Sequence, residues 1–84
     1  MTRSEAYVQL TRVTSNNYHW FARLLIDNRR SFDQHELYRL TGMERKDFTI
    51  MATHLRKRYG FPVRVTSTRK GQTAGITRYE MEIE

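Results

Sequence analysis

The chain of 84 residues has no cysteine, only one proline (Pro62) and four glycines. Without cysteine it can form neither a disulfide nor a cysteine-ligated zinc or iron–sulfur site, which suits a reducing compartment. No apolar run is long enough for a signal peptide or a membrane span. The sequence therefore predicts a soluble cytoplasmic protein without a membrane partner.

The sequence also offers little that could carry catalysis. Its three histidines, His19, His35 and His54, fall in three separate predicted helices and lack the close spacing of metal ligands. Asp33 and Glu36 have the spacing of a helix cap rather than of an acid–base pair. A chain this short uses most of its apolar residues in one core, which leaves little room for a deep substrate cavity. We expect a single domain that is not an enzyme and uses neither a metal nor a cofactor.

What the sequence does have is positive charge, with 15 Lys and Arg against 9 Asp and Glu and a net charge of +6. The excess lies between residues 44 and 78, where the only acidic residues are Glu44 and Asp47. A basic block confined to part of a chain indicates a polyanionic partner. A basic surface that serves only solubility is the alternative. The basic residues of this block are Arg45, Lys46, Arg56, Lys57, Arg58, Arg64, Arg69, Lys70 and Arg78.

Three segments carry the periodicity and the end signals of helices. The first follows the N-cap-rich residues 14–17 and ends near residues 28–30. The second begins at the capping residue Asp33 and ends at Gly42, whereas the third runs over residues 44–59. The apolar side chains predicted to face the core are Tyr18, Trp20, Phe21, Ala22, Leu24 and Leu25 in the first helix, Leu37, Leu40 and, as a further candidate, Tyr38 in the second, and Phe48, Met51, Ala52, Leu55 and Tyr59 in the third.

After Gly60 the apolar period changes from 3.6 to 2. Residues 61–66 and 78–84 each alternate between apolar and polar side chains, and the segment between them is polar and basic. Two half-buried strands joined by such a loop form an antiparallel hairpin whose apolar side the helices must cover. Its inward side chains are predicted to be Phe61, Val63, Val65, Tyr79, Met81 and Ile83.

The order of helix, short helix, glycine-containing turn, longer helix and hairpin predicts an α+β fold. More closely, it predicts a winged helix-turn-helix, with three helices followed by an antiparallel β-hairpin wing. We assign this domain to residues 15–84. Residues 1–14 are assigned to an N-terminal arm or short strand, because residues 6–13 alternate only weakly.

In this arrangement residues 44–59 form the recognition helix and residues 66–78 form a basic wing. At 100° per residue, one side of the helix is apolar and the opposite side is cationic or neutral, with Ile50 as an apolar exception. Arginine and lysine can reach base edges or phosphates, and threonine can hydrogen-bond a base or touch a thymine methyl group. The predicted DNA-binding residues are Arg45, Lys46, Thr49, Thr53, Arg56 and Lys57 on the helix and Arg69 and Lys70 on the wing.

The stretch from Tyr18 to Ile83 resembles a family of small winged-helix domains common in phages and prophages. The resemblance is carried by four motifs, which are Thr41-Gly42-Met43, Leu55-Arg56-Lys57-Arg58 with Gly60, Pro62-Val63-Arg64-Val65, and Thr77-Arg78-Tyr79-x-Met81. These motifs are structural and carry over no functional residue. The resemblance implies a winged-helix fold and a DNA-binding or regulatory role in a bacterium or an infected host cell. The chain departs from the family in residues 1–14, an arm that could pair strands with a second copy.

The expected function is that of a small DNA-binding protein, a phage-type transcriptional regulator whose partner is duplex DNA. The alternative is a phage-type protein-interaction module that inhibits a host nucleic-acid enzyme, with a host protein as its partner. RNA is a third possible polyanion, although the sequence lacks the paired aromatic residues of an RNA-binding sheet. A homodimer is also open, because one recognition helix reads a single half-site.

Overall fold

The computed structural model describes residues 1–68 and 75–84. Its elements follow the order α1 (Arg3–Leu10), α2 (Asn16–Asp27), β1 (Phe32–Asp33), α3 (Gln34–Thr41), α4 (Arg45–Tyr59), β2 (Val63–Thr68) and β3 (Ile76–Met81). The α+β class and the C-terminal antiparallel hairpin are confirmed. The predicted number of three helices is wrong, because the described residues contain four. None of these helices is long and apolar enough to cross a membrane.

The additional helix is α1, in the segment predicted to be an arm or a short strand. Its first turn is capped reciprocally, since the Thr2 hydroxyl accepts from the Glu5 amide at 3.2 Å and the Glu5 carboxylate accepts from the Thr2 amide at 3.0 Å. Ala6 and Leu10, four residues apart, are buried on one side of it. The Gln9 side-chain amide donates to the backbone carbonyl of Tyr59 at 2.6 Å. The segment therefore packs on the domain as a helix, and the prediction of a strand is wrong.

The short helix α3 has the ends that the sequence predicted. The Asp33 carboxylate accepts from the backbone amides of His35 and Glu36 at 2.8 and 2.9 Å. Gly42 ends the helix with a φ of 76°, in the left-handed region that side chains other than glycine rarely adopt. The helix is therefore fixed at both ends, and the turn after Gly42 sets the direction in which α4 begins.

Residues 32 and 33 form a short strand that the sequence did not reveal. The sheet has the order β1-β3-β2, and both neighbouring pairs are antiparallel. Phe32 pairs with Tyr79, which in turn pairs with Val65 on the other side. Two residues are too few to show a period of two, so only the tertiary structure identifies this strand.

The helices cover one face of the sheet, and the core lies between them. Its centre is an aromatic cluster in which the Phe21 ring lies 5.4 Å from Phe48 and 5.9 Å from Tyr79, measured between ring centroids. Each of these rings comes from a different element, so the cluster joins α2, α4 and β3. The other fully buried large side chains are Leu25, Ile26, Leu37, Leu55 and Phe61.

Two side chains that the sequence assigned to the core, Trp20 and Leu40, are exposed instead, and so is Tyr38, whose side the sequence left open. The exposed fraction is 38% for Trp20, 56% for Tyr38 and 60% for Leu40. Trp20 lies on the side of α2 that faces away from Phe21 and Leu25, and α3 buries only Leu37. A single anchoring side chain is enough for so short a helix because both of its ends are capped and it is followed directly by α4.

The Asp33 cap gives stability a predictable pH dependence. The backbone hydrogen bond from Glu36 is the main cause that lowers the pKa of the Asp33 carboxyl below its usual range. Because the pKa of Asp33 is lowered in the folded state, its ionised carboxylate contributes to the stability of the fold. This contribution is complete above the ordinary carboxyl pKa of about 4 and is lost as the pH falls through the pKa of the folded state. We expect Asp33→Ala to cost about 0.5–2 kcal/mol at pH 7, measured by urea unfolding, and less at about pH 3.

Asp33→Asn is the matched control, because asparagine keeps a capping oxygen that does not titrate in this range. The difference in unfolding free energy between Asp33→Asn and Asp33→Ala should therefore change little with pH. An equal cost of Asp33→Ala at both pH values would contradict this account of the cap.

Candidate nucleic-acid interface

The candidate interface is built on α4, whose two ends are fixed locally. At its start the Glu44 amide donates to the Asp47 carboxylate at 3.1 Å. At its end Gly60 has a φ of 74°, and the Phe61 amide donates to the carbonyl of Leu55 at 3.1 Å. Phe48, Met51, Ala52 and Leu55 are buried, as the sequence predicted. The helix is therefore held by one side and presents the other to solvent.

The outward side of α4 carries the residues that the sequence singled out. Five of the six predicted positions on this helix are exposed, namely Arg45, Lys46, Thr49, Arg56 and Lys57, and Thr53 is half-buried. Ile50 lies among them with 54% of its surface exposed. The outward side is thus cationic at both ends and apolar near its middle.

Arg69 and Lys70, the two predicted wing residues, lie outside the described residues. The strands that lead to and from that segment are β2 and β3, which pair from Val63 with Met81 to Thr68 with Ile76. Arg64 and Arg78 are exposed on these strands, on the face turned away from the helices. The Nη1 atom of Arg64 lies 3.3 Å from Oε1 of Glu82 in an ion pair. Arg78 stands opposite Asp33 in the register of β3 with β1.

Unlike Arg64, the cations of α4 form no ion pair with an acidic side chain of the described residues. Within residues 1–68 and 75–84, the ion pairs between side chains are Arg23 with Asp27, Arg30 with Glu36, and Arg64 with Glu82. None of them involves α4. A cation that is not already paired keeps its charge available for a ligand, and the two acidic residues of this helix and its cap, Glu44 and Asp47, are confined to its start.

Tyr79, which the sequence assigned only to the core, also contacts the first turn of α4. Its ring is fully buried, but its hydroxyl lies 2.7 Å from the Thr49 hydroxyl and donates to the backbone carbonyl of Arg45 at 3.0 Å. Burial raises the pKa of the Tyr79 hydroxyl, so that it keeps its proton and its donor role. The first turn of α4 is thereby tied to β3. The alternation of β3 predicts that Tyr79 points inward, but no local signal indicates a partner 30 residues away.

The other flank of α4 runs beside the start of α2. The His54 ring meets Tyr18 edge to face, with 5.5 Å between the ring centroids. Thr53, His54, Lys57 and Arg58 line a shallow groove on this flank. Arg58, which the basic run Arg56-Lys57-Arg58 indicates as a phosphate contact, therefore extends the cationic surface to this flank.

The described residues contain no group of three or more histidine, aspartate or glutamate side chains arranged to hold a metal ion. The grooves found among residues 1–68 and 75–84 are open, and each is lined by four to seven residues. The best-developed chemical feature of the described surface is therefore the cationic side of α4.

Comparisons with known proteins do not assign a family to the chain, because no protein-family model, no curated protein and no solved structure matches it.

Proposed function

We propose that this chain is a winged-helix protein that binds duplex DNA, and that it acts as a phage-type transcriptional regulator. The order of its elements supports the fold. The short strand β1 lies between α2 and α3, and the hairpin of β2 and β3 follows α4. The order of the strands in the sheet is β1-β3-β2. A helix-turn-helix formed by α3 and α4 and a wing formed by β2 and β3 account for this arrangement.

The observation that carries the proposal is the solvent-exposed side of α4, on which Arg45, Lys46, Arg56 and Lys57 have no acidic partner among the described residues. An α-helix with its side chains is about 10–12 Å wide, which is the width that the major groove of B-form DNA admits. Lys46 and Lys57 stand about 16 Å apart along the helix axis, at 1.5 Å per residue. They can therefore contact phosphates at the two rims of the groove while residues between them face the bases.

Duplex DNA is favoured over duplex RNA by the shape of the grooves. The major groove of A-form RNA is deep and narrow, so side chains on a helix cannot read it. The described sheet also presents no paired exposed aromatic residues on which single-stranded bases could stack, because Tyr79 is buried and Arg64, Thr66 and Arg78 occupy the outer face.

The salt dependence of binding tests the proposal. At about 50 mM salt, where electrostatic affinity is strong, we expect measurable binding to a fluorescent duplex, and the logarithm of the binding constant should fall linearly with that of the salt concentration. Lys57→Gln should reduce the magnitude of this slope by about one and weaken binding to all sequences alike, as expected for a phosphate contact.

Arg23→Gln is the matched control, because it removes one charge from the exposed side of α2, where Arg23 already pairs with Asp27 at 3.6 Å. Its slope should equal that of the wild type. A slope that falls equally in both variants would indicate a response to net charge alone. The absence of duplex binding at about 50 mM salt would contradict the proposed function.

A further inference from the structure

The middle of the outward side of α4 is apolar, although both of its ends are cationic. Lys46, Ile50, Thr53 and Lys57 follow one another along this side at intervals of four, three and four residues, which is the spacing of a single helix face. Ile50 is 54% exposed. Single exposed apolar side chains are ordinary on protein surfaces. Ile50 is different because it stands at the centre of the surface that the proposed function assigns to the bases.

The hydroxyl protons of Thr49 and Thr53 are already used in hydrogen bonds within the protein. The single proton of the Tyr79 hydroxyl goes to the carbonyl of Arg45, so in the contact of 2.7 Å between Tyr79 and Thr49 the donor must be Thr49. The Thr53 hydroxyl donates to the backbone carbonyl of Thr49 at 2.9 Å. Neither threonine has a second proton to donate to a base. On the line from Lys46 to Lys57, Ile50 and Thr53 therefore offer methyl groups rather than hydrogen-bond donors, and the guanidinium group of Arg56 lies on one flank of that line.

The major groove displays one apolar group, the C5 methyl of thymine. We propose that Ile50, with the methyl group of Thr53 beside it, is a specificity-determining contact that reads a thymine methyl group. This inference rests on the proposed function and adds the base that the centre of the helix selects. The guanidinium group of Arg45, exposed in the first turn, has no hydrogen-bond partner among the described residues and is the complementary contact for a guanine edge.

The test begins with selection of a preferred site from random duplexes by the full chain. Each thymine of that site is then replaced, one at a time, by deoxyuridine, which lacks the methyl group but keeps the same hydrogen-bonding groups. Loss of one buried methyl contact should weaken wild-type binding about fourfold at one or two positions. Ile50→Ala or Thr53→Ser should bind the thymine site more weakly and lose its sensitivity to deoxyuridine at those positions.

Val8→Ala is the matched control, because Val8 is a 65% exposed apolar residue that belongs to α1 and not to the outward side of α4. It should keep the wild-type response to every deoxyuridine. A flat deoxyuridine scan with intact duplex binding, an undiminished response in both α4 variants, or a selection that yields no preferred site would overturn this inference and leave the proposed function standing. No duplex binding at all would overturn both.

Discussion

Replacing both Lys46 and Lys57 by glutamate is expected to abolish duplex binding at physiological salt. Two unit charges about 4 Å apart in water attract or repel by about 1 kcal/mol. Changing attraction to repulsion therefore costs about 2 kcal/mol at each lysine and about 4 kcal/mol in total. At 1.4 kcal/mol per factor of ten, this corresponds to a loss of roughly 10³-fold in affinity, measurable by fluorescence anisotropy.

The control carries the same change in net charge elsewhere on the molecule. Arg12 and Arg23 are both exposed and lie in the part of the chain that contains α1 and α2. Arg12→Glu combined with Arg23→Glu should retain most of the affinity, because only long-range, salt-screened repulsion is added. Equal losses in the two double variants would mean that binding depends on total charge, and α4 would then not be the interface.

Phe48→Ala is expected to have the largest effect on stability. Its ring is fully buried and lies 5.4 Å from Phe21 and 6.1 Å from Tyr79, so its loss opens a cavity between α2, α4 and β3. Truncation of a buried phenylalanine costs about 3–5 kcal/mol. A chain of this length is stable by only about 4–13 kcal/mol, so the variant should lose a large share of its stability.

Urea unfolding of the wild type, Phe48→Ala and Ile50→Ala provides the measurement. The two positions are both apolar and belong to the same helix, but Ile50 is exposed and should change the unfolding free energy by less than about 0.5 kcal/mol. A cost below about 1 kcal/mol for Phe48→Ala would contradict the assignment of this ring to the centre of the core.

The sequence predicts those parts of the fold that depend on local chemistry. The caps at Asp33, Gly42 and Gly60 act within a few residues of their own helix ends, so the bounds of α3 and α4 follow from the sequence. The alternation after Gly60 likewise predicts the hairpin. The strand alternative for residues 6–13 is wrong because the weak alternation hides Ala6 and Leu10, whose spacing of four residues favours a helix.

What the sequence cannot predict depends on contacts between distant residues. Trp20 and Leu40 are apolar, and only the packing of neighbouring elements shows that the core leaves them exposed. The same holds for the candidate site. Thr49 is predicted to contact a base, and its hydroxyl also lies 2.7 Å from the hydroxyl of Tyr79 of β3, 30 positions further along the chain. Exposure of the cationic side could be predicted from the helical period, whereas this hydrogen bond could not.

The link between Tyr79 and the first turn of α4 has a mechanical consequence. β3 is the central strand of the sheet, paired on both sides, and the same strand holds α4 through the contacts of Tyr79 with Thr49 and Arg45. These contacts couple the first turn of α4 to the middle of the sheet. In the proposed complex they would therefore set the distance between α4 and the described strands before a duplex binds, and a duplex that touches both would have to bend or change its groove width to match that distance. Sequences that deform easily would then be preferred even at base pairs that no side chain reaches.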